Sequence, residues 1–120
     1  MVKSKSSKSK LIHKIIFGIE DVKGADVNIM DLTNIANTVC GYFIICTGTS
    51  NTHVSAIVSS IKRHVSKQLK EKPFSIEGNE NQEWVLIDYI DVVVHVFQKE
   101  IREYYDIENL WGDAKIKKLN

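Results

Sequence analysis

Proline occurs once and cysteine only twice in 120 residues, and no stretch approaches the roughly 20 apolar residues that span a bilayer. Two cysteines make no disulfide framework. Cys40 and Cys46 lie six apart in an apolar stretch and read as buried structural residues, because a zinc module needs more ligands at tighter spacing. The basic N-terminus leads into no continuous apolar signal core. The expectation is a cytoplasmic chain with no membrane partner. Net charge is also scarce, with 16 Lys and Arg against 15 Asp and Glu. The composition is 43% hydrophobic and 26% charged, that of one ordinary globular domain. A chain of this size buries about two thirds of its unfolded surface and folds without a structural metal.

The small net charge hides a segregation along the chain. Lys3, Lys5, Lys8 and Lys10 open it among serines, so residues 1–10 are expected to be a flexible tail. Lys62, Arg63, Lys67, Lys70 and Lys72 against Glu71 form a second basic block. From 77 to 113 the sign reverses, with ten acidic residues against Lys99 and Arg102, a net of −8. Lys115, Lys117 and Lys118 make residues 114–120 a basic C-terminal tail. An acidic window of this kind repels phosphate backbones and attracts basic proteins.

Periodicity supplies the elements. Leu11, Ile12, Ile15, Ile16 and Ile19 predict a helix from about 10 to 22, closed by Gly24. Val27 to Met30 predict a short strand and Thr33 to Thr38 a polar turn. Gly41 to Thr47 is apolar on both faces, as in a central strand covered on both sides. Ser50 is a natural N-cap, and Val54, Ile57, Val58, Ile61, Val65 and Leu69 then trace one helical stripe that ends at Pro73. Phe74 to Glu77, Trp84 to Tyr89 and Val92 to Phe97 read as strands, and Ile101, Tyr104, Tyr105, Leu110 and Trp111 as short terminal helices. The fold class is α/β, with a mixed sheet of about five strands flanked by helices.

Chemistry is thinly represented. Gly48-Thr49-Ser50 stands at a strand-to-helix junction, but without a Walker lysine or a second glycine pair it reads as turn and N-cap. Asp88 and Asp91 are three apart on an extended chain and so point to opposite faces, which suits a turn better than a two-metal site. His95 sits among apolar neighbours in a strand and reads as a core histidine. No catalytic residue, metal ligand or cofactor site is expected. The aromatics say more, because Trp84, Tyr89, Tyr104, Tyr105 and Trp111 all fall inside the acidic window, and such residues are common interface anchors.

In order, Asp31-Leu32, Tyr42-Phe43-Ile44-Ile45-Cys46-Thr47-Gly48-Thr49-Ser50, Glu77-Gly78, Trp84-Val85-Leu86-Ile87-Asp88-Tyr89, Asp91 to Phe97 and Arg102 to Trp111 resemble the Iojap family of ribosomal silencing factors. The resemblance covers residues 11–113. It implies a nucleotidyltransferase-like fold that is catalytically inactive, and a protein that is not an enzyme. The implied partner is the large ribosomal subunit, through ribosomal protein fourteen (uL14), with joining of the small subunit blocked and translation repressed when nutrients are scarce. Carried over by position, the contact set is Trp84, Asp88, Tyr89, Tyr105, Glu108, Leu110 and Trp111, with Glu77 and Gly78 shaping its edge. Ile90 departs from the family, which usually has glycine there, so the turn is expected to differ. A homodimer of the free protein and a contact of the N-terminal lysines with ribosomal RNA stay open. The rival readings are a nucleotide-binding enzyme of the nucleotidyltransferase type and a plain RNA-binding protein.

Overall fold

The computed structural model describes residues 5–35, 40–112 and 114–119. Its elements run α1 (Lys5–Asp21), β1 (Ala25–Asp31), β2 (Tyr42–Gly48), α2 (Asn51–Leu69), β3 (Ser75–Glu77), β4 (Trp84–Asp88), β5 (Val92–Gln98), α3 (Lys99–Tyr105), α4 (Ile107–Leu110) and β6 (Lys115–Lys118). The strands form one mixed sheet in the order β3-β4-β5-β2-β1-β6. The central pair β2 and β5 is parallel, from Tyr42 opposite Val92 to Gly48 opposite Gln98, and the other neighbours are antiparallel.

The two central strands are almost continuously apolar because both sheet faces are covered, though unequally. Helices α1 and α2 cover one face, where Ile15, Ile19, Val54, Ile57 and Ile61 are fully buried against Ile44, Cys46, Val94 and Val96. Each such side chain contributes about 1.5–3 kcal/mol of burial. The helices lie close together at Gly18, where an added Cβ would sit 2.8 Å from the Ile61 Cα, and the Ser60 hydroxyl donates to the Gly18 carbonyl at 2.7 Å. The Ser50 hydroxyl caps α2 by accepting from the His53 amide at 3.0 Å. The helix closes on Lys70 in the left-handed region, whose amide donates to the Ser66 carbonyl, three residues before the expected stop at Pro73. Leu69, expected on the stripe, is only partly buried.

Three expectations need correction. Helix α1 begins at Lys5, so Lys5–Lys10, expected to be flexible tail, are helical; residues 1–4 lie outside the described residues. The basic C-terminal segment is not a tail throughout, because Lys115–Lys118 form a sixth strand antiparallel to β1. All four of its residues are exposed, which is why it carries no apolar alternation to read, and its lysines suit a sheet edge that must not pair further. The third concerns Ile90, which takes φ 75°, the conformation glycine would supply. The Asp91 amide donates to the Tyr89 carbonyl at 3.0 Å across it, a strained γ-turn. The polar turn predicted over Thr33 to Thr38 is seen only in part, since residues 36–39 lie outside the described residues.

Candidate protein-docking surface

Alternation along β4 places Trp84, Leu86 and Asp88 on the sheet face away from α1 and α2. Among the described residues, the short helices α3 and α4 and the chain around Leu32 and Cys40 cover that face. The Trp84 ring stacks on Phe97 with centroids 4.8 Å apart and meets Tyr105 at 4.9 Å. Its indole N–H donates to His95 Nδ1 at 3.1 Å. His95 lies against Phe43 at 4.5 Å, and Phe43 meets Trp111 edge to face at 5.8 Å. Tyr105, Trp84, His95, Phe43 and Trp111 thus form one connected aromatic array with a half-buried tryptophan towards each end. Aromatic pairs in these geometries contribute about 0.5–1.5 kcal/mol each beyond their burial.

Within the array Tyr105 is 52% exposed, and in the same C-terminal helices Tyr104 is 80% and Leu110 75% exposed. The exposed acids Glu77, Glu80, Glu83, Glu100 and Glu103 belong to the same stretch of chain. Gly78 stands at φ 83°, and a Cβ there would come within 2.0 Å of the Trp84 carbonyl oxygen, so this glycine permits the turn that leads into Trp84. Asp88 accepts from the Ile90 amide at 2.7 Å and thereby helps hold the γ-turn, while its side chain remains partly exposed.

Two of the expected contact residues have structural duties instead. Tyr89 faces the helical core and is 5% exposed; burial pushes its phenol up to about 12. Glu108 is gripped by Arg102, Oε1 accepting from Nε at 3.2 Å and Oε2 from a terminal nitrogen at 2.8 Å. Asn28 donates to the same carboxylate at 2.6 Å. The Arg102 hydrogen bonds hold the Glu108 carboxyl below its ordinary range, against the opposing effect of burial. Arg102 also donates to the Asp26 carbonyl at 2.7 Å and to the Thr47 hydroxyl at 2.8 Å. This hub ties α3 and α4 to β1 and β2 and so sets where Tyr105, Leu110 and Trp111 stand. Sequence reading missed it, because residues six apart across a helix break leave no periodic signal.

The other motifs have local roles. The Thr49 amide donates to His53 Nδ1 at 2.9 Å, and the other ring nitrogen of His53 lies 2.7 Å from the Val22 carbonyl, so the Gly48-Thr49-Ser50 junction works as turn and cap. Cys40 and Cys46 are free and buried, and burial pushes the Cys46 thiol up to about 12. Among the described residues no three His, Cys, Asp or Glu side chains group as a metal site, and no helix is long and apolar enough to cross a membrane.

Comparison with known proteins gives one consistent result. A family profile described as "Ribosomal silencing factor during starvation" matches residues 4–120. The ribosomal silencing factor of Halalkalibacterium halodurans is 38% identical over 94% of this chain and 95% of its own length. That of Chromobacterium violaceum is 42% identical over 83% of this chain and 80% of its own. A crystal structure of a protein from Chromobacterium violaceum superposes with a TM-score of 0.80 at 38% identity, covering 89% of this chain and 88% of that one.

Proposed function

The chain belongs to the ribosomal silencing factor family, and from that premise we propose that its aromatic face docks on uL14 of the large ribosomal subunit. Occupying that site blocks joining of the small subunit and lowers translation without chemistry. The observation that carries this reading is the array from Tyr105 through Trp84 and Phe43 to Trp111, set within a window of net −8. Half-buried tryptophans flanked by carboxylates suit a small basic partner: the rings supply desolvated contact, and the charge speeds encounter.

The contact set is Trp84, Asp88, Tyr105, Leu110 and Trp111, with Glu77 at the edge and Gly78 shaping it. Tyr89 and Glu108 act from behind by holding the strand end and the α3–α4 corner. The test is calorimetric titration of purified uL14 with the protein and its variants. Trp84→Ala and Trp111→Ala should each cost on the order of 2 kcal/mol of binding. Asp88→Asn keeps an acceptor for the Ile90 amide while removing the charge, so it isolates the electrostatic share. Full affinity in all three variants would overturn the proposed surface.

A further inference from the structure

The fold joins what the sequence keeps farthest apart. Antiparallel pairing of β6 with β1 brings the C-terminal lysines beside α1, and Lys8 and His13 from the helix line one groove together with Lys117 from the strand. The groove also contains Ile12, Leu119 and the half-buried ring of Tyr42. Among the described residues, no carboxylate side chain lines it. The Asp31 carboxylate stays charged, accepting from the Thr33 amide and hydroxyl, and the nearby Lys115 partly balances it.

The geometry points to this groove as a binding site for the sugar–phosphate backbone of an unpaired RNA segment, with Tyr42 available to a base. Cations on both rims suit a polyanion, and an apolar floor with an aromatic ring suits the flat faces of bases. A peptide adding as a strand fits less well, because the free edge of β6 is lined with lysines. The groove is also remote from the aromatic face. It lies on the helical side of the sheet, and β6 is four strands from β4, about 19 Å at the usual strand spacing. One molecule can therefore meet a basic ribosomal protein and ribosomal RNA together. This rests on the docking proposed above, which supplies the ribosome as the source of RNA.

The test uses the full chain with two separate probes: a fluorescein-labelled oligouridine followed by anisotropy, and purified uL14 followed by calorimetry. The variant is Lys8→Glu with Lys117→Glu. Its control is Lys62→Glu with Lys67→Glu, the same charge change on exposed positions of α2. Lys8→Gln with Lys117→Gln guards against a folding defect, checked by circular dichroism. The groove variants should weaken RNA binding about tenfold or more and lower the slope of log affinity against log salt by about 1.4, at ~0.7 per phosphate released. They should leave uL14 binding within about twofold, since the sites are separate. Trp84→Ala should do the reverse.

Equal loss in the α2 control would overturn the site, and so would unchanged RNA binding in the groove variants. Absence of RNA binding in the parent protein would overturn it as well, even with uL14 binding intact. Groove-dependent binding to phosphatidylserine vesicles but not to RNA would overturn it in favour of a membrane surface. Loss of uL14 binding in the parent protein alone would remove the docking proposal and leave the RNA site standing.

Discussion

The Trp84 indole and the His95 imidazole are joined across neighbouring strands by one hydrogen bond, Nε1 donating to Nδ1 at 3.1 Å. Nδ1 must therefore be unprotonated, and the ring is 4% exposed. Burial pushes its pKa down to about 4. The unfolded chain takes up this proton near pH 6.5 and the folded protein only near 4. The stabilising contribution is therefore complete above about pH 6.5 and is lost as the pH falls towards 4, where it levels off. The full effect is on the order of 3 kcal/mol at ~1.36 kcal/mol per pH unit. His95→Gln keeps an acceptor for the indole without a titrating group, so denaturant melts between pH 4 and 6.5 should lose most of this slope. An unchanged slope would assign the pH dependence elsewhere.

Glu108→Gln should destabilise the protein by about 2–3 kcal/mol, because it leaves Arg102 with only 12% of its side chain exposed and without its countercharge. The same pair has a pH signature. The Glu108 carboxyl is held below its ordinary value, so its contribution is present above that value and is lost as the pH falls through the lowered one. Urea melts at neutral and acidic pH should show the parent and Glu108→Gln converging in acid. A variant as stable as the parent at pH 7 would show that the hub contributes little.

At Ile90 the backbone stands at φ 75° while the residue is 59% exposed. A β-branched residue in this region carries strain of order 1–3 kcal/mol, and so exposed a side chain has little burial to lose. Ile90→Gly should therefore stabilise the protein by about 1 kcal/mol after the entropic cost of glycine. A lowered melting temperature would mean that the burial Ile90 retains outweighs the strain.

Gly78→Ala should cost upwards of about 2 kcal/mol, combining positive φ with a direct clash, because the added Cβ would meet the Trp84 carbonyl at 2.0 Å. The clash bears on the backbone of a proposed anchor, so tryptophan fluorescence should change along with the melting temperature. Parent-like values in both would contradict the tight turn.

The layered fold was legible where periodicity is strong. The stripe from Val54 to Val65 and the two-sided strands around Ile44 and Val94 carry their burial in their spacing, and Ser50 announced its cap. Strand β6 was not legible, because Lys-Ile-Lys-Lys is exposed at every position and becomes a strand only through the free edge of β1. Of the proposed contact residues, Trp84, Asp88, Tyr105, Leu110 and Trp111 lie on or beside one surface. Tyr89 turned inward because it continues the alternation of Val85 and Ile87, on the face opposite Trp84, Leu86 and Asp88. The grip on Glu108 depends on Arg102 reaching from α3 across the helix break and onto β1 and β2, a tertiary relation that no local pattern encodes.

The most direct measurement is gradient sedimentation of purified small and large subunits under joining conditions, with the protein, with Trp84→Ala combined with Trp111→Ala, or with neither. The account predicts that the protein migrates with the large subunit and depletes the joined ribosome, and that the double variant does neither while staying folded. Silencing by the double variant equal to that by the parent protein would contradict the aromatic face as the docking surface. Absence of the parent protein from the large-subunit fractions would contradict the proposed mechanism itself.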